Sequence, residues 1–356
     1  MIPVFKPSIR RKEMDSVLSA LVSDRIGPET QQRELVKELC SLAEAHGGFA
    51  LREYERAIAL ALEALGLEEG DGVVLSPLSP VSYYRVMKTY GLVPLLVDVD
   101  SHSMCVDAGE AIGRIERDGA KAVIADGPLG FIPPLRELSD SGVPIIEDIS
   151  STVGGHTGEL ACGSYGEVVI IRLEAQDLIT SGGGTVVMAR KRSGYAKLKQ
   201  AAEVLPREVF LPDMNAALAK IQIKELDRYF ERRKELYSIL FSSLRKGRHG
   251  APVQTGEAES VAYSFPVLVD GGIKEVQGYA RKKGVETLRG FPDATLGFID
   301  DASEGESRTA ENRGAEESRE YPNARRFLNS CLLFPLYPRL AKDEVDKIGK
   351  VLTTLP

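Results

Sequence analysis

The sequence predicts an α/β fold, with a large domain in which helices cover both faces of a mostly parallel sheet and a smaller α+β domain after it. Short runs of consecutive apolar residues, at 73–75, 94–97, 122–125, 143–146 and 168–171, are typical of strands buried on both faces. Helical patterns separate these runs, and alternation of strand and helix indicates a parallel sheet. The 356 residues, 43% of them hydrophobic, are enough for two domains.

Three helices precede the first of these strands. They are predicted over 11–25, 30–46 and about 54–65, with a break near Gly27 between the first two. The third has an apolar face of the kind that packs on a sheet, and Gly66 ends it.

The second half of the chain supplies the smaller domain. One long helix that begins near Asp213, its predicted N-cap or first-turn residue, links a large domain of residues 1–230 to a small domain of residues 231–356. Residues 301–320 contain no Val, Ile, Leu or aromatic residue and carry seven acidic and three basic side chains. Because such a composition cannot bury a core, a mobile acidic insertion is predicted over about 297–322.

Polar side chains follow the strands at their carboxyl ends. Loops begin there at Ser76, Asp126, Asp148 and Arg172. The carboxyl ends of parallel strands share one edge of a sheet, so these loops are expected to line one ligand-binding mouth. An isolated Asp in such a loop is more often a helix cap or a solvated residue. Asp148 ends a buried strand in a Glu-Asp pair, which makes a functional role as reasonable as a structural one.

Charge and composition exclude several classes of protein. With 45 basic and 52 acidic residues the formal net charge is −7, which gives no electrostatic footprint for nucleic acid or an anionic membrane. No apolar run has the length of a membrane span, and the first residues lack the apolar region of a secretion signal. The four cysteines are far apart and have no metal-like spacing with the four histidines, so free thiols, no metal site and a cytoplasmic location are expected.

Short motifs occur along the chain in one order. They lie at 61–71, 91–100, 147–148, 179–184, 216–227 and 333–338. In this order they resemble motifs of the DegT/StrS-type (DegT/DnrJ/EryC1/StrS) family of sugar-nucleotide aminotransferases, which are pyridoxal-phosphate (PLP) enzymes of fold type I. The resemblance covers nearly the whole chain. It implies the fold type I architecture and a homodimer with its sites at the subunit boundary.

The resemblance places Asp177 where the family has the lysine that forms a Schiff base with PLP. The residues after it fit the family's pattern, and Gly182 to Gly184 permit a backbone with positive φ in this loop. Aspartate cannot form an imine and carries the opposite charge. Lys191 and Lys197 lie well past the next strand and are not convincing replacements.

The family's cofactor contacts at the start of the third helix are also changed. Asp148 keeps the carboxylate that pairs with the pyridine nitrogen. The phosphate-binding Ser-Gly-Thr, however, falls on Glu53, Tyr54 and Glu55. A carboxylate about 4 Å from a phosphate charge costs about 4 kcal/mol at an effective dielectric near 20. A helix N-terminus offers only about 0.3–1 kcal/mol in return. Glu53 and Glu55 are otherwise ordinary first-turn helix residues.

Three more positions depart from the family. Its Gln after the Glu-Asp pair falls on Ser151, and its ring-stacking position falls near Pro80, which has no aromatic face. Its phosphate-binding Ser in the lysine segment falls on Arg172. We expect Arg172 to form an ion pair with Asp177 or Glu174 rather than a new anion site.

These residues together predict an acidic cleft. Its carboxylates are expected to be Glu53, Glu55, Asp126, Asp148, Glu174 and Asp177. A cationic or polyhydroxylated ligand would suit such a cleft better than a phosphate. No spacing among these carboxylates supports a metal site.

Three functions remain open, and whether the protein is an enzyme remains open with them. The first is an aminotransferase-fold protein without transaminase chemistry, with PLP absent or not covalently bound. It would bind a small sugar-type ligand or act as the partner subunit of an active relative. The second is a PLP- or pyridoxamine-phosphate-dependent aminotransferase or dehydratase acting on a nucleotide sugar. The third is a PLP-independent enzyme that uses Asp148 and Asp177 as an acid/base pair. The first ranks highest because of Asp177.

Overall fold

The computed structural model describes residues 1–306 and 320–356. In chain order its first nine strands are β1 (Gly47–Leu51), β2 (Gly72–Leu75), β3 (Val93–Leu96), β4 (Ala122–Asp126), β5 (Ile145–Asp148), β6 (His156–Thr157), β7 (Leu160–Ala161), β8 (Val168–Arg172) and β9 (Thr185–Ala189). Seven of them form one sheet in the order β1-β9-β8-β5-β4-β2-β3, and β6 pairs with β7 alone. Neighbours from β3 to β8 run parallel, whereas β9 is antiparallel to β8 and to β1. The predicted mostly parallel sheet is therefore confirmed.

Helices cover both faces of this sheet. They are α1 (Arg11–Val22), α2 (Thr30–Leu42), α3 (Tyr54–Leu65), α4 (Val81–Thr89), α5 (Ala108–Asp118), α6 (Leu135–Asp140), α7 (Arg192–Glu203), α8 (Asp213–Lys224) and α9 (Leu226–Leu244). In β8, Val168 and Ile170 pack with α3, α4 and α7, while Val169 and Ile171 pack with α2, α5, α6 and α8. Each fully buried aliphatic side chain stabilises the fold by about 1.5–3 kcal/mol. Burial on both faces explains why the strands are continuous apolar runs.

The smaller domain contains a second sheet. Its elements are β10 (Phe265–Leu268), α10 (Ile273–Lys282), β11 (Leu288–Arg289), α11 (Thr295–Glu306), α12 (Pro322–Ser330), β12 (Cys331–Phe334) and α13 (Lys342–Thr353). The three strands are antiparallel in the order β10-β12-β11. Their core includes side chains of α9, α10 and α13 and also Ile2, whose N–H donates to the carbonyl of Gly284 at 2.9 Å. The first residues of the chain thus contact the small domain.

The long helix predicted to run unbroken from Asp213 to about Leu244 is two helices. The break falls at Glu225, which has φ −102° and ψ 4°. No Gly or Pro marks the place, and the cause is tertiary: α8 packs on α1 and α2, whereas α9 packs on α13. Asp213 is a first-turn residue of α8, as predicted, but its carboxylate caps another helix. It accepts three backbone N–H groups at the start of α2, at 2.8–3.0 Å.

The acidic insertion predicted over about 297–322 overlaps α11 at its start and α12 at its end. Its central residues, 307–319, lie outside the described part of the chain. Within residues 1–306 and 320–356, no helix has the length and apolar character needed to cross a membrane.

Candidate functional site

A cleft of about 710 Å³ opens at the carboxyl ends of β2, β4, β5 and β8. The strand ends supply Asp126, Asp148, Ser151 and Arg172, and α3 and α4 supply Tyr54 and Arg85. Its remaining walls come from the small domain and the N-terminal segment, and include Tyr263, Leu288, Arg289, Phe291, Asp293 and Phe5. The prediction that four strand-end loops share one mouth is confirmed.

The carboxylate of Asp148 already holds four donors of the protein itself. Its Oδ2 accepts the hydroxyl of Tyr83 at 2.8 Å and the hydroxyl of Tyr54. Its Oδ1 accepts the N–H of Ser150 at 2.9 Å and the hydroxyl of the same residue. A carboxylate offers about four lone-pair sites, so the acceptor capacity of Asp148 is filled.

The two tyrosines reach Asp148 from different helices. Tyr54 is the first residue of α3 and Tyr83 lies on α4, and their rings meet edge to face with centroids 5.7 Å apart. Burial, with the charge of Asp148 adding to it, raises the pKa of both phenols well above the usual range, so both remain donors. Sequence reasoning treated Tyr54 only as a changed phosphate position and missed Tyr83. Tyr83 and Asp148 are 65 residues apart, so no local pattern signals the contact.

Asp177 forms a bidentate ion pair with Arg172, which confirms the predicted pairing. Nε and Nη2 of Arg172 each lie 3.1 Å from a carboxylate oxygen. The N–H of Glu174 at 2.8 Å and the hydroxyl of Tyr263 at 3.2 Å also donate to Asp177. Burial by itself lowers the pKa of Arg172, but the carboxylate of Asp177 outweighs it and holds that pKa above the usual range.

This pairing removes Asp177 from the lining of the cleft. Its side chain is 0% exposed, whereas that of Arg172 is 25% exposed and does line the cleft. The hypothesis of an Asp148–Asp177 acid/base pair therefore does not hold, because a ligand in the cleft meets the guanidinium rather than Asp177.

Three glycines make the return from this loop into β9. Gly182, Gly183 and Gly184 have φ of 76°, 137° and 105°, as the sequence predicted. A Cβ on Gly184 would lie 2.5 Å from a side-chain carbon of Leu211 and 3.0 Å from the carbonyl oxygen of Leu51. Glycine at this position therefore allows β9 to pack closely after the loop.

Asp126 is the second carboxyl group that the strand ends bring to the cleft. It ends β4 in register with Asp148 of β5, and it accepts the hydroxyl of Ser79. Burial raises the pKa of Asp126 to about 7; the hydroxyl of Ser79 opposes the rise and the charge of Asp148 adds to it. Asp148 accepts four hydrogen bonds, whereas Asp126 accepts one from a side chain, so fewer donors offset the burial of Asp126.

The prediction of an acidic cleft is wrong. The charged residues of its lining are three aspartates and three arginines: Asp126, Asp148, Asp293, Arg85, Arg172 and Arg289. Glu53 and Glu55 are exposed and Glu174 is partly exposed, and none of the three lines the cleft. The first turn of α3 directs the two glutamates to solvent and Tyr54, between them, toward Asp148.

Other predicted positions have local partners. Ser151 lines the cleft and donates its hydroxyl to the carbonyl of Gly127. Pro80 lines it as the residue before α4, where it bridges to Ala294 of the small domain.

No lysine is among the described residues that line the cleft. Lys191 donates to Oε1 of Glu167 at 2.8 Å, at the opposite edge of the sheet, where β9 ends and β8 begins. Lys197 lies on α7, which packs on α3. Neither is available as a cleft amine, in agreement with the sequence-based expectation.

A model of the DegT/DnrJ/EryC1/StrS aminotransferase family matches residues 7–353. Among solved structures, the aminotransferase TlmJ from Streptoalloteichus hindustanus is 21% identical, with a TM-score of 0.85 over 99% of this chain and 98% of that chain. The aminotransferase from Psychrobacter cryohalolentis is 20% identical, with a TM-score of 0.83 over 98% and 97%. GDP-4-keto-6-deoxy-D-mannose-3-dehydratase from E. coli, solved with bound hydrated PLP, is 17% identical, with a TM-score of 0.85 over 99% of both chains. These TM-scores, over nearly the full length of each chain, show that the fold is that of the fold type I aminotransferases.

Proposed function

Because the chain belongs to the DegT/DnrJ/EryC1/StrS aminotransferase family, we propose that it uses the family's fold without transaminase chemistry. In this proposal the cleft binds a small sugar-type ligand without a covalent bond, and PLP forms no Schiff base. The observation that carries it is Asp177, at the family's lysine position, whose carboxylate is held by Arg172 through two hydrogen bonds of 3.1 Å.

The residues present do not fit PLP. The aldehyde needs an amine, and no lysine is among the described lining residues. The pyridine nitrogen needs a free carboxylate oxygen, but Asp148 already accepts four hydrogen bonds. The phosphate needs small residues at the start of α3, where the large side chain of Tyr54 lines the cleft instead. Three independent requirements of the cofactor are thus unmet.

The same residues favour a polyhydroxylated ligand. The cleft has balanced charge, with aspartate carboxyls at the strand ends and the side chains of Arg85 and Arg289 on other walls. Apolar surface from Leu78 and Phe291 lies between them. Such mixed lining suits a sugar that carries an anionic group, because hydroxyls need both donors and acceptors while apolar carbons stack on the walls. A purely cationic ligand, one of the two classes expected from the sequence, is disfavoured by the three arginines.

The test is a titration of the purified protein with PLP, followed by absorbance, borohydride reduction and intact mass. The aminotransferase from Psychrobacter cryohalolentis, under identical conditions, is a suitable reference. We expect no internal-imine band and no mass increase in this protein. A saturable band with a reduced adduct on one lysine would refute the proposal.

A second function keeps some support from Asp148, which retains the acidic residue of the family's pyridine position. It is a PLP- or pyridoxamine-phosphate-dependent aminotransferase or dehydratase acting on a nucleotide sugar. Saturable PLP binding without a covalent adduct would favour it, and would require Tyr54 to leave Asp148. Both functions are compatible with a homodimer, or with a heteromer containing an active relative, and sedimentation of the purified protein distinguishes the assemblies.

A further inference from the structure

We propose that Asp126 is a ligand-recognition residue of the cleft, and that its protonated carboxyl donates a hydrogen bond to a ligand oxygen that can only accept, such as the ring oxygen of a sugar or a carbonyl. This inference rests on the proposed function and deepens it by stating which group the site presents and in which form. It differs from the sequence-based hypothesis, which paired Asp148 with Asp177.

The first step is the position of the two carboxyls. Asp126 and Asp148 are register partners at the ends of β4 and β5, and both line the cleft. The charge of Asp148 therefore disfavours the ionised form of Asp126 and adds to the effect of burial on its pKa.

The second step is the supply of donors to each carboxyl. Asp148 accepts two phenols, one hydroxyl and one N–H, all of which stabilise its negative charge. Asp126 accepts one side-chain hydroxyl, that of Ser79. The uneven supply of donors leaves the proton on Asp126, and burial of this carboxyl, which raises its pKa to about 7, acts in the same direction.

The groups that face Asp126 from neighbouring elements do not cancel the rise in its pKa. Ser79 from the loop after β2 is uncharged, and Cys105 from the loop after β3 is a buried neutral thiol, because burial keeps its pKa far above the usual range. Tyr54 of α3 is directed to Asp148 as a neutral phenol. Arg172, at the end of β8, forms its ion pair with Asp177. Among the described residues, the charged group that acts on the pKa of Asp126 is therefore Asp148.

The third step is what the proton does. Asp148 is saturated, Ser151 donates to Gly127, and Arg172 holds Asp177, so these strand-end groups are already engaged. A neutral Asp126 adds a hydrogen-bond donor to the cleft in a place where an ionised one would only accept. Once ionised it could only accept, so it would repel a ligand oxygen that has no proton to donate. Ligand affinity should then fall as pH rises through about 7.

The experiment uses the full-length protein and GDP-mannose, a probe chosen because one structural relative is named for a GDP-linked hexose. Its pyrophosphate diester does not titrate near neutral pH. Carbon-13 NMR of labelled aspartate carboxyls, assigned with Asp126→Asn, follows the proton on Asp126 without ligand. Calorimetry then measures the dissociation constant at about pH 6 and about pH 8. No histidine is among the described lining residues to titrate in the same range.

We expect the Asp126 carboxyl to titrate near 7 rather than near the usual 3.9 or so. If only the protonated form binds, the apparent dissociation constant rises about tenfold from pH 6 to pH 8. Asp126→Asn keeps a neutral donor and should bind equally at both values. Asp293→Asn is the matched control: it removes an exposed carboxylate from the mouth of the cleft and should keep the tenfold change.

Each of the following results contradicts the proposed role of Asp126. An Asp126 that titrates with ordinary surface carboxyls overturns the inference alone. So does a titration near 7 with pH-independent binding, or a tenfold change that persists in Asp126→Asn. An absence of GDP-mannose binding at every pH overturns the recognition role of Asp126, whereas the proposed function is refuted separately, by a covalent PLP adduct.

Discussion

Replacing Arg172 with methionine should lower the free energy of unfolding, because it leaves the buried carboxylate of Asp177 without its cation. The side chain of Asp177 is 0% exposed and would retain only the N–H of Glu174 and the hydroxyl of Tyr263 as donors. Breaking a buried pair from one side costs about 3–5 kcal/mol. Arg172 is itself 25% exposed on the cleft side, so we expect the lower end, about 3 kcal/mol.

Urea denaturation followed by far-ultraviolet circular dichroism measures this cost, since the chain contains no tryptophan to report by fluorescence. Arg11→Met is the matched control. It removes an arginine from an ion pair of 3.7 Å with Asp15 whose side chains are 91% and 63% exposed, and it should cause no measurable change.

A double-mutant cycle separates the pair from its surroundings. Asp177→Asn leaves Arg172 able to reach water in the cleft and should cost about 1–2 kcal/mol. The double variant should be more stable than the sum of both losses predicts, with a coupling of about 1–3 kcal/mol. Two results would show that the Arg172–Asp177 pair does not stabilise the fold. One is a loss of stability in Arg172→Met as small as that in Arg11→Met. The other is strict additivity of the two losses in the cycle.

Three further perturbations test other contacts. Tyr54→Phe removes one of the four donors to Asp148 and should lower the free energy of unfolding by about 1 kcal/mol; Tyr84→Phe, a hydroxyl that does not reach Asp148, is the control and should match wild type. Asp213→Ala leaves three N–H groups at the start of α2 without their acceptor and should cost about 2 kcal/mol in urea denaturation; an equal loss in the isosteric Asp213→Asn would argue against capping by the carboxylate. The raised pKa of Asp126, about 7, means that the unfolded chain ionises first, so wild type loses up to about 4 kcal/mol as pH rises from about 4 to about 7. Asp126→Asn lacks the titrating carboxyl and should not show that loss, so its urea midpoint should exceed that of wild type by more at about pH 8 than at about pH 5. If the two midpoints change with pH in parallel, the raised pKa of Asp126 is contradicted.

Much of the candidate site follows from residue types that are close in sequence. Arg172 and Asp177 are five positions apart in one loop, so their pairing could be expected before any fold was known. The replacement of an amine by a carboxylate at residue 177 is likewise a property of the sequence and the family pattern. The strand-end position of Asp126 and Asp148 follows from apolar runs that end in a carboxylate.

The direction in which each side chain points could not be predicted from the sequence. Glu53 and Glu55 seemed to bring negative charge to the cleft, yet the rotation of α3 places Tyr54 there instead. The filled carboxylate of Asp148 depends on a tyrosine 65 residues away, and the cap on α2 depends on Asp213, 184 residues from Glu29.

The amino-acid sequence by itself determined the layered α/β architecture, the family and the missing lysine, because apolar periodicity and short motifs are read between neighbours in the chain. Tertiary structure alone decided that Asp148 is saturated, that Asp177 is shut away from the cleft and that burial raises the pKa of Asp126. Those outcomes depend on which donors the folded chain brings within about 3 Å of each carboxylate, and hydrogen-bond energy falls off steeply with distance and angle. A rotation of α3 by a single position would take Tyr54 away from Asp148 while leaving the sequence pattern unaltered.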